Sequence, residues 1–539
     1  MRKTIKRLGA VLLAMAMAVS VLCTGALAAE TTYSITVKSE VSGHTYEAYQ
    51  VFKGTVATGD DKKKVLSDIE WGSGVDSAKL VEELQSAENN PFGSDFSEKD
   101  TAADIAAVVA GYDADKIKKF ATVVGKHLQT TATGTSGEFD SINQIYTISG
   151  LSAGYYLVKD KDNTVNAENH DAYTNYIMEV VQNVEVTPKT AVPTVTKKIV
   201  EDGDKKNATT AKVGDVVNFE LTGTLPDNYA DYTKYQYEFH DTLSKGLTYN
   251  GDVEVLVKNG ETETKLASTS YTVEPENRQT TTPSQDTTIT VRFADLKKNT
   301  VTGANNTTVT IGKDSKIIVK YSATLNENAV VGEAGNTNTV NLVYSNNPNN
   351  TSTGTTKDDK VTVYTFQLNV TKVDGTNNGT KLAGAKFKLY YETDNTKYYV
   401  KEVTDDNTIK SWTRTENEAL ELTTDNNGNI TVKGLKEGTY YLEETEAPDG
   451  YNKLTAPVKV EIANDSTNIH RLDSVKADGV DGTVSDDKAI GTITVANNKG
   501  STLPSTGGMG TKLFYTIGGI LMAGAAIVLV VRKRRSDAE

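Results

Sequence analysis

The chain is expected to be mostly β, a row of antiparallel β-sandwiches whose first member also carries helices. Three observations predict this. Short runs alternating apolar and polar residues, such as TYSITVK, VVNFELTG, KIIVKYSATL and APVKVEIA, recur between clusters of Gly, Asn and Asp. Thr, Val, Tyr and Asn fill these runs, and the β-branched and aromatic members suit a pleated, half-buried surface. At 539 residues the chain is too long for one hydrophobic core, so several sandwiches must follow one another.

Residues 1–28 read as an export signal. Arg2, Lys3, Lys6 and Arg7 precede the apolar run 8–22, and Ala26, Leu27 and Ala28 form a small-residue cleavage site. The run is short for an uncleaved anchor. The single cysteine, Cys23, lies inside this signal, so the exported chain has no thiol for a disulfide, a metal thiolate or a nucleophile. With 71 acidic and 57 basic side chains the net charge is −14, and the body has no basic tract to follow phosphates, which argues against nucleic acid as a partner. Five histidines, no G-x-S-x-G and no H-E-x-x-H leave little from which to build a hydrolase. GDKKNATT lacks the acidic ligands of an EF-hand and reads as a solvated loop. No cofactor or metal is expected.

The body divides where the polar and proline-rich stretches fall. Residues 29–189 form the first expected domain, in which SAKLVEELQSA and ADKIKKFATVVGKHL have helical periodicity. A link bracketed by Pro188 and Pro193 leads to a middle domain, 190–360, and the polar stretch 346–359 leads to a last domain, 361–500. The tail is 501–539. In it Leu503, Pro504, Ser505, Thr506 and Gly507 precede an uncharged apolar span, 513–531, closed by Arg532, Lys533, Arg534 and Arg535.

Pentapeptide, span and basic tail in this order resemble the sorting signal of sortase substrates. The resemblance implies that a sortase cysteine attacks the Thr506 carbonyl, releases Gly507 onward and passes the acyl group to an amine. Proline and glycine suit such a peptide, one fixing a kinked extended form and the other permitting close approach.

Upstream, Val184, Glu185, Val186, Thr187, Pro188 and Lys189 resemble the pilin motif of backbone pilins, with Thr187 in place of the usual tyrosine and no upstream tryptophan. The resemblance makes Lys189 the accepting amine. A lysine directly after a proline at a strand end is held off the sheet ladder, where an enzyme can reach it.

In the last domain LNVTKVD, LAGAKFKLY, GTYYLEETEAPDGY and ITVANNK resemble the collagen-adhesin B-type, immunoglobulin-like sandwich with its E-box. That family implies an internal amide between Lys372 and Asn497, or Asn498 in the alternative register, promoted by Glu444. Alternation supports the lysine independently, because Leu368, Val370 and Lys372 share one face of their strand. Burial lowers a lysine pKa and raises that of a carboxylic acid, so a neutral amine can attack the carboxamide while the acid relays protons. The middle domain resembles the fimbrial isopeptide-forming domain that uses aspartate. Lys197 is in phase with Val195 and Ile199, Asp241 supplies the acid, and Asn338 or Asn341 the amide. The first domain has Val158 and Lys159 where the E-box acid would stand, so no bond, or a slow one, is expected there.

These resemblances imply a structural backbone subunit of a covalently polymerised, wall-anchored pilus, the alternative being a monomeric wall-anchored adhesin. The expected partners are pilin-specific and housekeeping sortases, identical subunits in an open head-to-tail polymer, minor pilins at tip and base, peptidoglycan and a host receptor.

Overall fold

The computed structural model describes residues 31–39, 42–59, 62–86, 91–162, 164–165, 171–187, 192–298, 303–304, 307–500 and 510–536. The expected export signal, Lys189 and the pentapeptide at 503–507 lie outside the described residues.

The first region holds two sheets. Tyr33–Lys38 lies between the antiparallel Ile145–Leu151 and the parallel Val184–Val186. In the other, Tyr46–Thr58 pairs with Lys64–Trp71 and Gly154–Asp160, and Asn175–Val180 extends it. Helices α1 (Ser77–Gln85), α2 (Ala102–Val109) and α3 (Ala114–Gly125) pack on this sheet. Each starts at a side chain that accepts from a first-turn N–H: Asp76 from Lys79, Thr101 from Asp104 and Asp113 from Lys116. Leu80, Leu84, Ile105, Val109, Phe120 and Val124 bury one stripe of these helices against Phe52 and Leu157. The helices expected in this region are therefore present, and α2 is one that no quoted segment singled out.

The middle region is a sandwich of two seven-stranded sheets. One carries Val195–Glu201, Val216–Gly223, Lys316–Leu325 and Glu254–Asn259 in that order. The other carries Asp359–Tyr364, Asn336–Ser345, Tyr237–Leu243 and Thr287–Phe293. Alternate residues of each strand are buried between the layers, as in Val195–Glu201, where Val195, Lys197 and Ile199 point inward.

Two features of the sequence reading change here. The polar stretch after residue 345 is folded back rather than extended as a link: Thr353–Thr355 pairs with 343–345, and Asn346 and Asn347 are buried. Their amides face the local backbone and hydroxyls, Ser352 donating to Asn346 Oδ1 and the Asn349 N–H to Asn347 Oδ1. The expected division after residue 360 falls inside Asp359–Tyr364, whose ladder runs to 336–340 of the middle sandwich.

In the last region Phe366–Asp374 is parallel to Ile490–Asn497 and antiparallel to Asn429–Leu435. An eight-stranded sheet faces it, with Lys386–Thr393, Gly438–Glu446 and Val458–Asn464 as neighbours. Middle and last regions share a tight contact. The Val213 N–H donates to Gly434 O (2.9 Å), Trp412 Nε1 donates to Val213 O (2.7 Å), and Lys436 pairs with Asp215 (3.2 Å). The buried Thr365 hydroxyl donates to Leu435 O (2.8 Å) at the chain crossing.

Beyond these regions Gly510–Ser536 is one helix, and its stretch Phe514–Arg535 contains an 18-residue window with a mean hydropathy of 2.3, long and apolar enough to cross a membrane. Lys533, Arg534 and Arg535 stand in its last turn.

Candidate functional site

Two buried clusters gather the residues expected to cross-link, and a third cluster occupies the first region.

In the last region Lys372 and Asn497 stand on neighbouring parallel strands, Lys372 opposite Val495 and Asp374 opposite Asn497. Both are buried, as is Glu444, which reaches in from the facing sheet. Glu444 Oε1 is 3.3 Å from Lys372 Nζ, while Oε2 accepts from Asn497 Nδ2 (2.9 Å) and from the Leu454 N–H (2.7 Å). The second amide hydrogen of Asn497 goes to Asn452 O (2.6 Å). The lysine lies over the Phe387 ring at 5.3 Å. Burial pulls its pKa below the usual lysine value, against the opposing pull of Glu444. One carboxylate thus spans amine and carboxamide. Asn498, the alternative partner, is exposed, being one residue out of phase with the buried face. Just outside the cluster the Tyr451 hydroxyl donates to Asp374 Oδ2 (2.9 Å), so the end of the E-box segment is pinned to the strand that carries Lys372.

In the middle region the components face one another across the sandwich. Lys197 and Asp241 are on opposite sheets, and both Asp241 oxygens lie on Lys197 Nζ, at 2.6 and 2.7 Å. Asn338 is fully buried on the strand beside Asp241, whereas Asn341 points outward and donates to Asp358. Burial drives both ionisable groups toward neutrality: the Lys197 ammonium falls to about 8 although Asp241 opposes the change, and the Asp241 carboxyl rises despite its lysine partner. Phe219 and Tyr321 rings stand 5.2 and 5.3 Å from Nζ. Tyr321 did not figure in the sequence reading. Its hydroxyl accepts from Lys197 Nζ (3.0 Å) and Asn338 Nδ2 (2.6 Å) and donates to Asp241 Oδ2. A signal was there, since Tyr321 alternates in phase with the buried Val319 and Ala323 of KIIVKYSATL.

In the first region Val158 is buried, and Lys159 pairs with Asp162 (3.1 Å) beside Glu47 (3.6 Å). The buried polar centre there is His44. Its Nδ1 meets Asp160 Oδ1 at 2.7 Å and its Nε2 meets Asp171 Oδ2 at 2.8 Å, among the rings of Tyr46 and Tyr146. Burial alone would lower the imidazole pKa, but the two carboxylates outweigh it and raise it to about 9. Both ring nitrogens are then donors and neither is left for a metal. Asp171 also ties the first region to the middle one, its carbonyl accepting from the Tyr344 hydroxyl (3.1 Å), and nearby the Tyr173 N–H donates to Asn346 O (2.7 Å).

A raised histidine pKa gives stability that is complete below the unfolded value near 6.5 and disappears as pH rises through about 9. The first region is therefore expected to lose stability across that window. His44→Ala, which leaves two buried carboxylates without their cation, should cost about 3–5 kcal/mol at neutral pH and flatten the pH dependence. Urea unfolding followed at several pH values checks both, and an unchanged slope in His44→Ala would refute the assignment.

Family models match three segments: a Gram-positive pilin backbone subunit 2, Cna-B-like domain over residues 213–348, a prealbumin-like fold domain over 366–475, and an LPXTG cell wall anchor motif over 496–538. The trypsin-resistant surface T6 protein of Streptococcus pyogenes serotype M6 is 25% identical over 564 residues, covering 88% of this chain and 96% of that protein. Among solved structures, the pilus 2b backbone protein of group B streptococcus is 30% identical over 57% of this chain and 99% of its own, with a TM-score of 0.41. The T6 backbone pilin of serotype M6 Streptococcus pyogenes, described as a modular three-domain structure, is 17% identical over 88% of this chain and 100% of its own, with a TM-score of 0.50.

Proposed function

Since the chain belongs to the backbone pilins of Gram-positive bacteria, we propose that sortase joins Thr506 of one copy to the Nζ of Lys189 on the next, building a shaft whose subunits carry internal amide cross-links. The protein is a structural subunit of a surface pilus, anchored to the cell wall through its LPXTG motif after a transient membrane span, and its subunits polymerise with each other. A pilin-specific sortase makes the links between subunits, and a housekeeping sortase attaches the finished fibre to peptidoglycan. Each subunit has three domains, 29–189, 190–364 and 366–500, with the second junction at Thr365.

The observation that carries the reading is the pair of fully buried lysines, each paired with a buried acid in a cluster that also holds a buried asparagine, hydrogen-bonded to Glu444 in the last domain and to Tyr321 in the middle one. In the last domain Lys372 Nζ, as the neutral amine, bonds to Asn497 Cγ. Its surplus proton passes to Glu444, which protonates Nδ2 as the Cγ–Nδ2 bond breaks and ammonia departs. Lys197 and Asn338 react likewise with Asp241 as the acid. The reaction occurs once per domain and turns nothing over.

Expression with the cognate sortase should give a ladder of covalent multimers on denaturing gels. Lys189→Ala is expected to collapse the ladder to monomer while leaving the internal amides intact. A ladder that persists in Lys189→Ala would reject Lys189 as the acceptor, and a wild-type chain that stays monomeric would favour the adhesin reading.

A further inference from the structure

The two cross-linking clusters differ by one methylene, and the difference leaves a gap. Glu444 touches both reactants, Oε1 toward Lys372 and Oε2 on the leaving nitrogen of Asn497. Asp241 is shorter, and both its oxygens are committed to Lys197. The atom on the leaving nitrogen of Asn338 is the Tyr321 hydroxyl, at 2.6 Å, and the same hydroxyl is hydrogen-bonded to Asp241 Oδ2. Tyr321 and Lys197 come from one sheet and Asp241 and Asn338 from the other, so the hydroxyl sits among all three reacting groups between the layers.

We infer that Tyr321 is a catalytic residue of the middle domain, the proton carrier that gives an aspartate the reach of a glutamate; the inference rests on the Lys197–Asn338 cross-link proposed above. The neutral amine of Lys197 bonds to Asn338 Cγ. Tyr321 gives its hydroxyl proton to Nδ2 and takes another from protonated Asp241, and Asp241 recovers its proton from Nζ. The Cγ–Nδ2 bond breaks and ammonia leaves. One proton has moved from Nζ to Nδ2, and tyrosine and aspartate end as they began. Burial, the largest cause, holds the phenol pKa well above its usual value, so the hydroxyl keeps its proton between transfers and serves as a neutral relay.

The test is the mass of the mature chain, residues 29–506, followed in time after synthesis. Wild type should lose two ammonias, about 34 Da. Tyr321→Phe, which keeps the ring against Phe219 and Tyr249, should lose one promptly, with peptide mapping placing that bond at Lys372 and Asn497. The second loss should slow by about 100-fold or more. The Lys372–Asn497 bond reports within the same molecule that the chain has folded. Adding Asp241→Glu to Tyr321→Phe should restore part of the rate, because a longer acid reaches the leaving nitrogen itself. A purely structural tyrosine would not be rescued in this way. Tyr321→Phe that forms the Lys197–Asn338 bond at the wild-type rate overturns the relay and leaves the cross-link standing. A wild-type chain without that bond removes the cross-link and the relay together.

Discussion

Glu444→Ala is expected to leave the mature chain one ammonia, about 17 Da, heavier than the parent, with Lys372 and Asn497 recovered in separate peptides. The reason is geometric. Glu444 supplies the carboxylate oxygen 3.3 Å from Nζ and the one on the leaving nitrogen, so alanine removes the proton acceptor and the proton donor in a single change. Stability suffers twice. The open chain loses a covalent loop of well over a hundred residues, worth roughly 5 kcal/mol by analogy with disulfide closure. It also buries a lysine without its partner, which costs about 3–5 kcal/mol. The two sums overlap, since an unpaired amine sheds its charge, but either is a large part of a domain's stability. Thermal unfolding and trypsin digestion of parent and variant should diverge sharply over 366–500, and a variant with the parent's mass would sink the proposed chemistry at this site.

Asp241→Ala is the second large effect, expected to restore the other ammonia and leave the first still lost. Here the aspartate lies within 2.7 Å of Nζ through both oxygens and also receives the tyrosine hydroxyl, so its removal strips two buried groups of their partner. Destabilisation of about 3–5 kcal/mol is expected from the orphaned lysine alone. Digestion should begin in the middle region while 366–500 stays intact. The double variant Asp241→Ala with Glu444→Ala should match the mass calculated from sequence, and any remaining deficit would reveal a cross-link elsewhere, the first domain being the place to look.

The layers and the inward lysines were legible because they obey local rules, whereas both acids were implied only by the family resemblances. A lysine two residues from a valine on a strand must share its face, so the inward placement of Lys197 and Lys372 follows from alternation alone. The same rule separates the candidate asparagines of the middle domain. Asn338 and Asn341 are an odd number of residues apart, so they point to opposite faces, and only Asn338 lines up with Val340 and Leu342. Asn336 shares that buried face, where its amide is taken by the Val330 and Val363 carbonyls. Tyr321 and His44 were harder. Their partners are far away in sequence, 80 residues for Tyr321 and Asp241 and 116 for His44 and Asp160, and meet only once the sheets are stacked. The boundary near 360 was misplaced because Asn, Thr and Gly read as a link, whereas their side chains satisfy a folded return that brings Asp359–Tyr364 back into the sheet.

That last strand bears on how the fibre answers a pull. In the last domain Lys372 and Asn497 lie close to where the chain enters and leaves, so with the proposed amide in place little of it can extend. In the middle domain the chain after Asn338 returns through Asp359–Tyr364 and is held without a covalent bond, by ladders of 338–344 to Tyr237–Leu243, of 343–345 to Thr353–Thr355 and of Asp359–Tyr364 to 336–340 and 208–210, and by the Lys197 N–H on Asp359. With Lys197 joined to Asn338, tension peels this segment and then stops at the amide. Roughly 26 residues at about 3.4 Å each set a ceiling on the order of 90 Å of slack per subunit. A shaft of such subunits would stretch by a fixed allowance, stiffen abruptly, and re-zip when the flow relents.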